Sequence, residues 1–300
     1  MARQGFKAMM NELSANSDIL YELSADELFT LKATLVEMFQ DVYEVCKKNG
    51  LNIMLGGGSV LGSIRHQGFI PWDDDLDLLM PRSDYERFKA VFESELGERY
   101  VLSAPNYGDK SKARFPKIMK KGTTMKELAD VNSDLPSGIF LDIFILDKVP
   151  ENRVHQKIKG LWCNAMMYAS TQAFWNEHRS EVIRNYMCTT GRGKRAYYWK
   201  RVVGSVCGII PSWKWYNMID RATQYNKETS LLGIPTGRKH YFGEILAADV
   251  MLPISFGQFE GKVVPLPADT DAYLKNLYGS YMEIPPVEKR ERHFVVECKF

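Results

Sequence analysis

Four carboxylates stand within five positions of the segment RHQGFIPWDDDLDLLMPR, residues 65–82: Asp73, Asp74, Asp75 and Asp77. Phe69, Ile70 and Trp72 precede them and Leu76, Leu78, Leu79 and Met80 follow, so the cluster stands at the edge of a core. On a β-strand side chains alternate between faces, and Asp75 and Asp77 then project together with Cα atoms about 6.5 Å apart. Like charges this close raise each other's pKa unless a cation sits between them. Hard oxygen donors in such a pair suit Mg²⁺ or Mn²⁺ rather than zinc. Asp73 and Asp74 read as turn residues or as supports of that pair. The ordinary alternative, a solvated acidic loop, fits poorly with the apolar flanks.

A second stretch, GIFLDIFILD at residues 138–147, buries Asp142 in an apolar run, where an unpaired charge costs several kcal/mol. If this strand lies beside the first, Asp142 supplies a third oxygen ligand or takes a proton from an incoming hydroxyl. Otherwise backbone N–H groups or an arginine must satisfy it. Asp147, at the end of the run, reads as a turn residue. In LGGGSVLGSIRH, residues 55–66, Gly57, Gly58 and Ser59 follow a short strand and open a helical segment. Backbone amides at such a junction seat phosphate oxygens, or the glycines simply make a tight turn. The segment matches neither G-x-G-x-x-G nor a Walker A loop. Arg65 and His66 offer charge for a phosphate, as do Lys117 in RFPKIMKKG and Arg290, Arg292 and His293 near the C-terminus, and each equally suits a plain surface role.

The elements that must position these groups are legible in outline. SADELFTLKATLVEMFQDVYEVCKKNG pairs Ser24 with Glu27 at capping-box spacing, lines Leu28, Leu31, Leu35, Met38, Val42 and Val45 along one face and closes on Gly50, which predicts a helix. LNIMLGG and DLDLLM read as strands, and SDYERFKAVFESEL as a helix with a second capping box at Ser83 and Glu86. YVLSA, RFPKIMKKG and GIFLDIFILD are further strands. From about residue 151 the texture turns helical: Ile158, Leu161, Trp162, Ala165, Met166 and Ala169 fall at helical spacing, and Ser212 opens a later helix. The predicted organisation is a core at 1–150 with an N-terminal helix, a mainly helical insertion at 151–235, and a segment at 236–300, with a helix near Asp269 to Tyr278, that packs back on the core.

Composition sets the outer limits. Three hundred residues, 45% hydrophobic and 25% charged, describe an ordinary globular chain, and a net charge of +2 gives no electrostatic case for a nucleic-acid partner. Five scattered cysteines without C-x-x-C spacing predict neither a disulfide framework nor a zinc site, and point to the reduced cytoplasm. The N-terminal residues show no signal-peptide core and no stretch reaches the roughly 18 apolar residues that span a bilayer, so secretion and membrane crossing are not expected. GRGKRAYYWKRVVGSVCGIIPSWKWY, by contrast, interleaves cations with Tyr197, Tyr198, Trp199, Trp213 and Trp215. That pattern suits a lipid interface or a basic loop ahead of a core helix.

Taken together, LGGGSVLGSIRHQGFIPWDDDLDLLMPRSDYERF, GIFLDIFILD and LYGSYMEIPP resemble the LicD family of phosphocholine transferases of bacterial surface glycans, with the related fukutin-type phosphoalcohol transferases. The match runs in pieces over about residues 50–150 and 255–293, and the helical middle contributes little. The interval between Ser59 and Asp75 is longer than in the broader nucleotidyltransferase pattern, and its insert RHQGFIPW is typical of LicD-like proteins. The resemblance implies an α+β, nucleotidyltransferase-like fold, a mixed sheet with flanking helices and a largely helical middle and C-terminal region. It implies that Asp75, Asp77 and Asp142 are catalytic and hold Mg²⁺ or Mn²⁺. Gly57, Gly58, Ser59, Arg65, His66, Lys117, Arg290, Arg292 and His293 are the substrate-binding candidates. The implied reaction moves a phosphoalcohol from a CDP-activated donor such as CDP-choline to a hydroxyl of a teichoic acid, a lipopolysaccharide or a lipid-linked precursor. It would run in the cytoplasm, at the inner face of the membrane if the protein associates peripherally. Two alternatives are nucleotidyl transfer from an NTP to a small molecule and a non-catalytic membrane-surface module built on residues 192–216.

Overall fold

The computed structural model describes residues 21, 23–108, 110–127, 133, 135–179, 181–287, 290 and 295–300. Helix α1 (Ala25–Lys48) opens on the expected capping box, with Glu27 N–H donating to Ser24 Oγ at 3.3 Å and Ser24 N–H to Glu27 Oε2 at 2.9 Å. It buries Leu31, Leu35, Met38, Phe39, Val42 and Val45. Strand β1 (Met54–Leu55) leads directly into α2 (Gly57–His66), and β2 (Asp77–Pro81) into α3 (Arg82–Leu96). The second capping box does not form: α3 starts at Arg82 after Pro81, with no side-chain cap. Glu86 instead meets Arg82 at 3.4 Å and Lys89 at 2.7 Å.

Strands β3 (Tyr100–Ser103), β4 (Lys117–Lys120), β5 (Thr124–Glu127) and β6 (Phe140–Lys148) follow, then helices α4 (Arg153–Glu177), α5 (Glu181–Met187), α6 (Gly191–Cys207) and α7 (Ser212–Thr223). The chain closes through β7 (Leu231–Gly233), α8 (His240–Gly243), β8 (Ile245–Ala247), α9 (Ala248–Met251), β9 (Ser255–Phe259), β10 (Lys262–Leu266), α10 (Thr270–Tyr278) and β11 (Val295–Lys299). The result is an α+β architecture around a seven-stranded mixed sheet ordered β1-β2-β6-β4-β3, with β7 on the far half of β6 and β8 beyond it. β6 is the hub: parallel to β2, antiparallel to β4 and β7. Its near-continuous apolar sequence fits a strand covered on both faces. The main core draws on α1, the sheet, α3 and, from the C-terminal segment, Leu266, Tyr273, Leu274, Leu277 and Val295.

The helical middle is bolted to the sheet by one buried charge network. Arg82 donates from Nε and a terminal nitrogen to Asp147 at 2.8 and 2.9 Å, and to Asp220 of α7 at 2.6 Å. Asn106 Nδ2 donates to the other oxygen of Asp220 at 2.8 Å. Burial opposes charge on Arg82, yet Asp147 and Asp220 outweigh it and hold the guanidinium above its ordinary pKa. Asp147 is therefore a buried anchor and not a turn residue. Ser212 does not cap α7 with its own side chain; Pro211 precedes the helix, and the Ser212 hydroxyl and N–H donate to Glu177 of α4. In α4 the buried residues are Gly160, Cys163, Met166, Met167, Ser170, Gln172 and Ala173, whereas Ile158, Leu161 and Trp162 of the predicted stripe are exposed. Periodicity located the helix; Met166 and Met167, packed on Ile219, mark the face it buries.

Candidate active site

Register places the charged residues of the sheet in one row. Asp77 of β2 stands opposite Asp142 of β6, which stands opposite Lys117 of β4. Residues paired in register share a face, with Cα atoms about 5 Å apart, so two carboxylates and an ammonium line up across three strands. Lys117 Nζ lies 2.7 Å from Asp142 Oδ1, both side chains are buried, and the ammonium also sits 3.5 Å from the Phe140 ring centroid. Asp142 thus has its compensating cation from within the sheet.

The other carboxylates sit just before β2, in the loop that leads into it. Oxygens of Asp73, Asp74 and Asp75 lie within 4.8 Å of one another. The loop is pinned on both sides. Glu260 accepts from Phe69 N–H at 2.9 Å and Glu260 N–H donates to Gln67 O at 2.9 Å, while Lys32 Nζ donates to Ile70 O and Pro71 O at 3.3 and 3.1 Å. Phe69 packs edge-on against Phe259 with centroids 4.8 Å apart. Burial lowers the pKa of Lys32, against the pull of Asp73, Glu260 and Asp74. On the glycine side contact is closer still: a Cβ on Gly57 would stand 2.5 Å from Asp77 Oδ2, and one on Gly58 2.9 Å from Asp73 Oδ2. Only bare backbone lets α2 begin against these carboxylates.

A cavity of about 420 Å³ opens over the loop, lined by Asp73, Asp74, Asp75 and Asp77 together with Arg65, Arg238 and Arg290. Tyr278 and Tyr281 complete the wall. Arg65 is held by Tyr281 O at 2.7 Å and Glu283 O at 3.3 Å, and Arg290 lies over the Trp72 ring at 4.1 Å. Burial raises the Tyr278 phenol well above its ordinary pKa, and the negative field of Asp77, Asp73 and Asp75 adds to it. A smaller cavity of about 100 Å³ shares Asp77, Arg238 and Tyr278 and adds Glu244, whose carboxyl burial pushes up to about 7. Carboxylates and guanidinium groups converging on one concavity match the demands of a phosphorylated ligand that arrives with a divalent cation.

Comparison with known proteins places this arrangement. The family model described as LicD/FKTN/FKRP, nucleotidyltransferase domain, matches residues 50–183. Those residues are similar to a LicD-family domain. Over 275 residues the chain is 24% identical to the lipopolysaccharide cholinephosphotransferase LicD of Haemophilus influenzae, covering 85% of this chain and 91% of that one. An uncharacterized protein of Rickettsia prowazekii is 29% identical over 119 residues, covering 40% of this chain and 41% of its own length. The matched residues supply the acidic loop, the glycines, Arg65 and the strands β2, β4 and β6, but not the whole cavity: Arg238, Tyr278, Tyr281 and Arg290 come from beyond residue 183.

Of the residues expected from the sequence, the larger cavity gathers Gly58, Arg65, Asp75, Asp77 and Arg290, and Gly57 lines the smaller one. Ser59 does not line either; it is buried, and its Oγ accepts from Asp77 N–H at 2.9 Å, which fixes the start of β2. Asp142 and Lys117 are one strand and two strands from Asp77 and bind each other. His66 Nε2 accepts from Arg65 Nε at 3.0 Å and lies outside both linings, its pKa lowered by burial and by the neighbouring guanidinium. Arg292 and His293 fall outside the described residues. The gathered carboxylate trio is Asp73, Asp74 and Asp75, where the sequence reading chose Asp75, Asp77 and Asp142. Arg238 and Glu244 carried no motif, and Tyr278 and Tyr281 stand in LYGSYMEIPP, a stretch quoted for its resemblance without a site role assigned to either tyrosine.

Proposed function

We propose that the chain is a phosphoalcohol transferase that moves phosphocholine from CDP-choline, or a like CDP-activated donor, onto a hydroxyl of a surface glycan or its lipid-linked precursor. The observation that supports this most is the shared cavity, in which Asp73, Asp74, Asp75 and Asp77 face the same space as Arg65, Arg238 and Arg290. A pyrophosphate needs cationic donors and a divalent ion needs oxygen ligands, and both sets are present there. The oxygen-only donors of Asp73, Asp74 and Asp75, within 4.8 Å of one another, fit Mg²⁺ or Mn²⁺, with Asp77 beside them. When bound, such an ion offsets charge on the phosphates and on the departing CMP. Arg65, fixed by two backbone carbonyls, and Arg290, fixed on Trp72, hold phosphate oxygens in a set orientation. The acceptor hydroxyl forms the new bond to phosphorus as the bond to the CMP oxygen breaks. Asp77, which faces both cavities, is placed to receive the hydroxyl proton. The nucleotidyltransferase-like fold, a cytoplasmic setting and the wider Asp75, Asp77, Asp142 ligand set belong to this proposal.

The test is CMP release from CDP-choline with Mg²⁺ and candidate glycans. Asp75→Asn and Asp73→Asn are expected to lower turnover by about 100-fold or more with the unfolding midpoint unchanged or raised, since both relieve like-charge repulsion. Near-native turnover in both variants refutes the assignment. The family description, a nucleotidyltransferase domain, favours one rival, transfer of NMP from an NTP. Release of pyrophosphate in place of CMP selects that rival.

A further inference from the structure

Two helices of the middle region carry exposed apolar residues in line along one face. On α4, Val154, Ile158, Leu161, Trp162 and Tyr168 are each more than half exposed and fall at helical spacing. Continued at the same spacing, the line reaches Gln172 and Asn176, and there α6 lies across it: a Cβ on Gly204 would stand 3.1 Å from Gln172 O and 3.3 Å from Asn176 Cβ. Helix α6 therefore covers one end of the α4 stripe and leaves the other end open. Gly204 is the residue α6 buries, and the face turned away from it carries Arg195, Trp199, Val202 and Val206 in steps of four, three and four. Ile209 continues that line in the following turn; Trp199 is 68% and Ile209 80% exposed. A chain that merely tolerated solvent would not place a tryptophan, two valines and an isoleucine in register outward.

Charge tells what covers this face. Residues 182–219 hold seven cations, Arg184, Arg192, Lys194, Arg195, Lys200, Arg201 and Lys214, and no Asp or Glu. The chain as a whole carries +2, so all the rest of it sums to 2 minus 7, or −5. Arg192, Lys194 and Arg195 are exposed in the first turns of α6, beside the apolar line, and Tyr198 and Trp199 follow at once. Cations flanking an apolar stripe with aromatic rings between them is the composition of a helix that lies in a lipid headgroup layer. A second copy of the chain would bring this basic surface against itself, which like-charge repulsion opposes.

We propose that the outer face of α6 and the open half of the α4 stripe dock the protein on an anionic bilayer surface. The apolar line enters the interface, the cations at its end meet lipid phosphates, and the net-negative remainder of the chain is turned away from the membrane. No described helix is long and apolar enough to cross a bilayer, so the attachment is peripheral. The inference does not depend on the proposed reaction.

Flotation of the full chain with phosphatidylcholine vesicles, with and without phosphatidylglycerol and at low and high salt, tests it. Binding is expected with the anionic vesicles at low salt and to fall by about tenfold or more without anionic lipid or at high salt. Val202→Asp with Val206→Asp, at exposed positions, is expected to abolish flotation. Replacing Arg192, Lys194 and Arg195 by Gln is expected to weaken binding and flatten its salt dependence. Circular dichroism and unaltered turnover on a soluble acceptor confirm that these variants are folded. In the unmodified protein, tryptophan emission should shift blue with anionic vesicles and be quenched by lipid-borne quenchers. Absence of vesicle binding by the unmodified chain overturns the proposal, as does binding that survives the aspartate pair. So does a dimer that the aspartate pair dissociates while flotation persists.

Discussion

Gly57→Ala tests the claim that the site depends on backbone standing where no side chain fits. Gly57 has φ +46°, in the left-handed region, and a Cβ there would sit 2.5 Å from Asp77 Oδ2. Two costs follow. A non-glycine residue in that conformation loses about 1–2 kcal/mol, and the Asp77 carboxylate must retreat by about 1 Å to restore ordinary van der Waals distance. Gly50→Ala separates them, because Gly50 has φ +60° and nothing within 4 Å of its Cβ position. Gly50→Ala is expected to cost about 1–2 kcal/mol in urea unfolding and to leave turnover untouched. Gly57→Ala is expected to cost at least as much and to lower CMP release by about 100-fold, the usual consequence of misplacing a catalytic group by about 1 Å. Mn²⁺ titration supplies a readout apart from turnover and should weaken by about tenfold. If Gly57→Ala turns over within about twofold of Gly50→Ala, the position of Asp77 does not matter and the reasoning fails.

Three further outcomes follow from the buried charges. Arg82→Met strands Asp147 and Asp220 without a cation and is expected to cost about 3–5 kcal/mol in denaturant unfolding, whereas Lys48→Met, at an exposed pair with Glu95, should cost at most about 1 kcal/mol. Lys117→Met removes the buried ammonium 2.7 Å from Asp142 Oδ1 and should cost about 3–5 kcal/mol, and adding Asp142→Asn should recover most of it in the same assay. Glu244 is raised to about 7 by burial, so the folded state holds a proton that the unfolded state releases above about 4.5. Its contribution is complete below the lower value and is lost as pH rises towards 7, so stability relative to Glu244→Gln should fall by a few kcal/mol between about pH 4.5 and 7.5; a flat difference refutes the burial argument.

How much of this was legible before the structure varied with the reach of the interaction. Ser24 and Glu27 act within one helical turn, and that capping box formed. The second failed because Arg82 answers to Asp147 and Asp220, 65 and 138 positions away, and no local pattern records such partners. The apolar runs marked two strands and left their adjacency as a condition on the role of Asp142; Asp77 does stand opposite Asp142. That β4 would bring Lys117 to the same row was a matter of register, which sequence leaves open. The acidic cluster was visible as composition, yet its members divided differently, because β2 begins at Asp77 and leaves Asp73 to Asp75 in the loop that leads into it. Ser59 carried the right residue type in the right place and points at a backbone N–H. Arg238 reaches the cavity from α8's approach, a segment that holds only ordinary turn signals, whereas Tyr278, at the end of α10, lies in LYGSYMEIPP, a stretch legible as a motif but not as part of the cavity wall.

The two acidic groups of the site differ in what holds them in place. Asp142 is part of the sheet and is matched within it, by a lysine on the next strand that is itself buried and braced on Phe140. Removing one partner of that pair costs several kcal/mol. Asp73, Asp74 and Asp75 are built the opposite way. They sit on a loop ahead of β2 and open to a cavity, and the groups that fix the loop bind its backbone: Lys32 grips Ile70 and Pro71 carbonyls, and Glu260 the Phe69 amide. The backbone of the loop is thereby fixed from both sides, and the cavity over it brings the carboxylates of Asp73, Asp74 and Asp75 into one lining with Arg65, Arg238 and Arg290. Asp77 belongs to that lining and stands in register with Asp142, so a substitution that shifts the start of β2 moves both the cavity wall and the Asp142–Lys117 row.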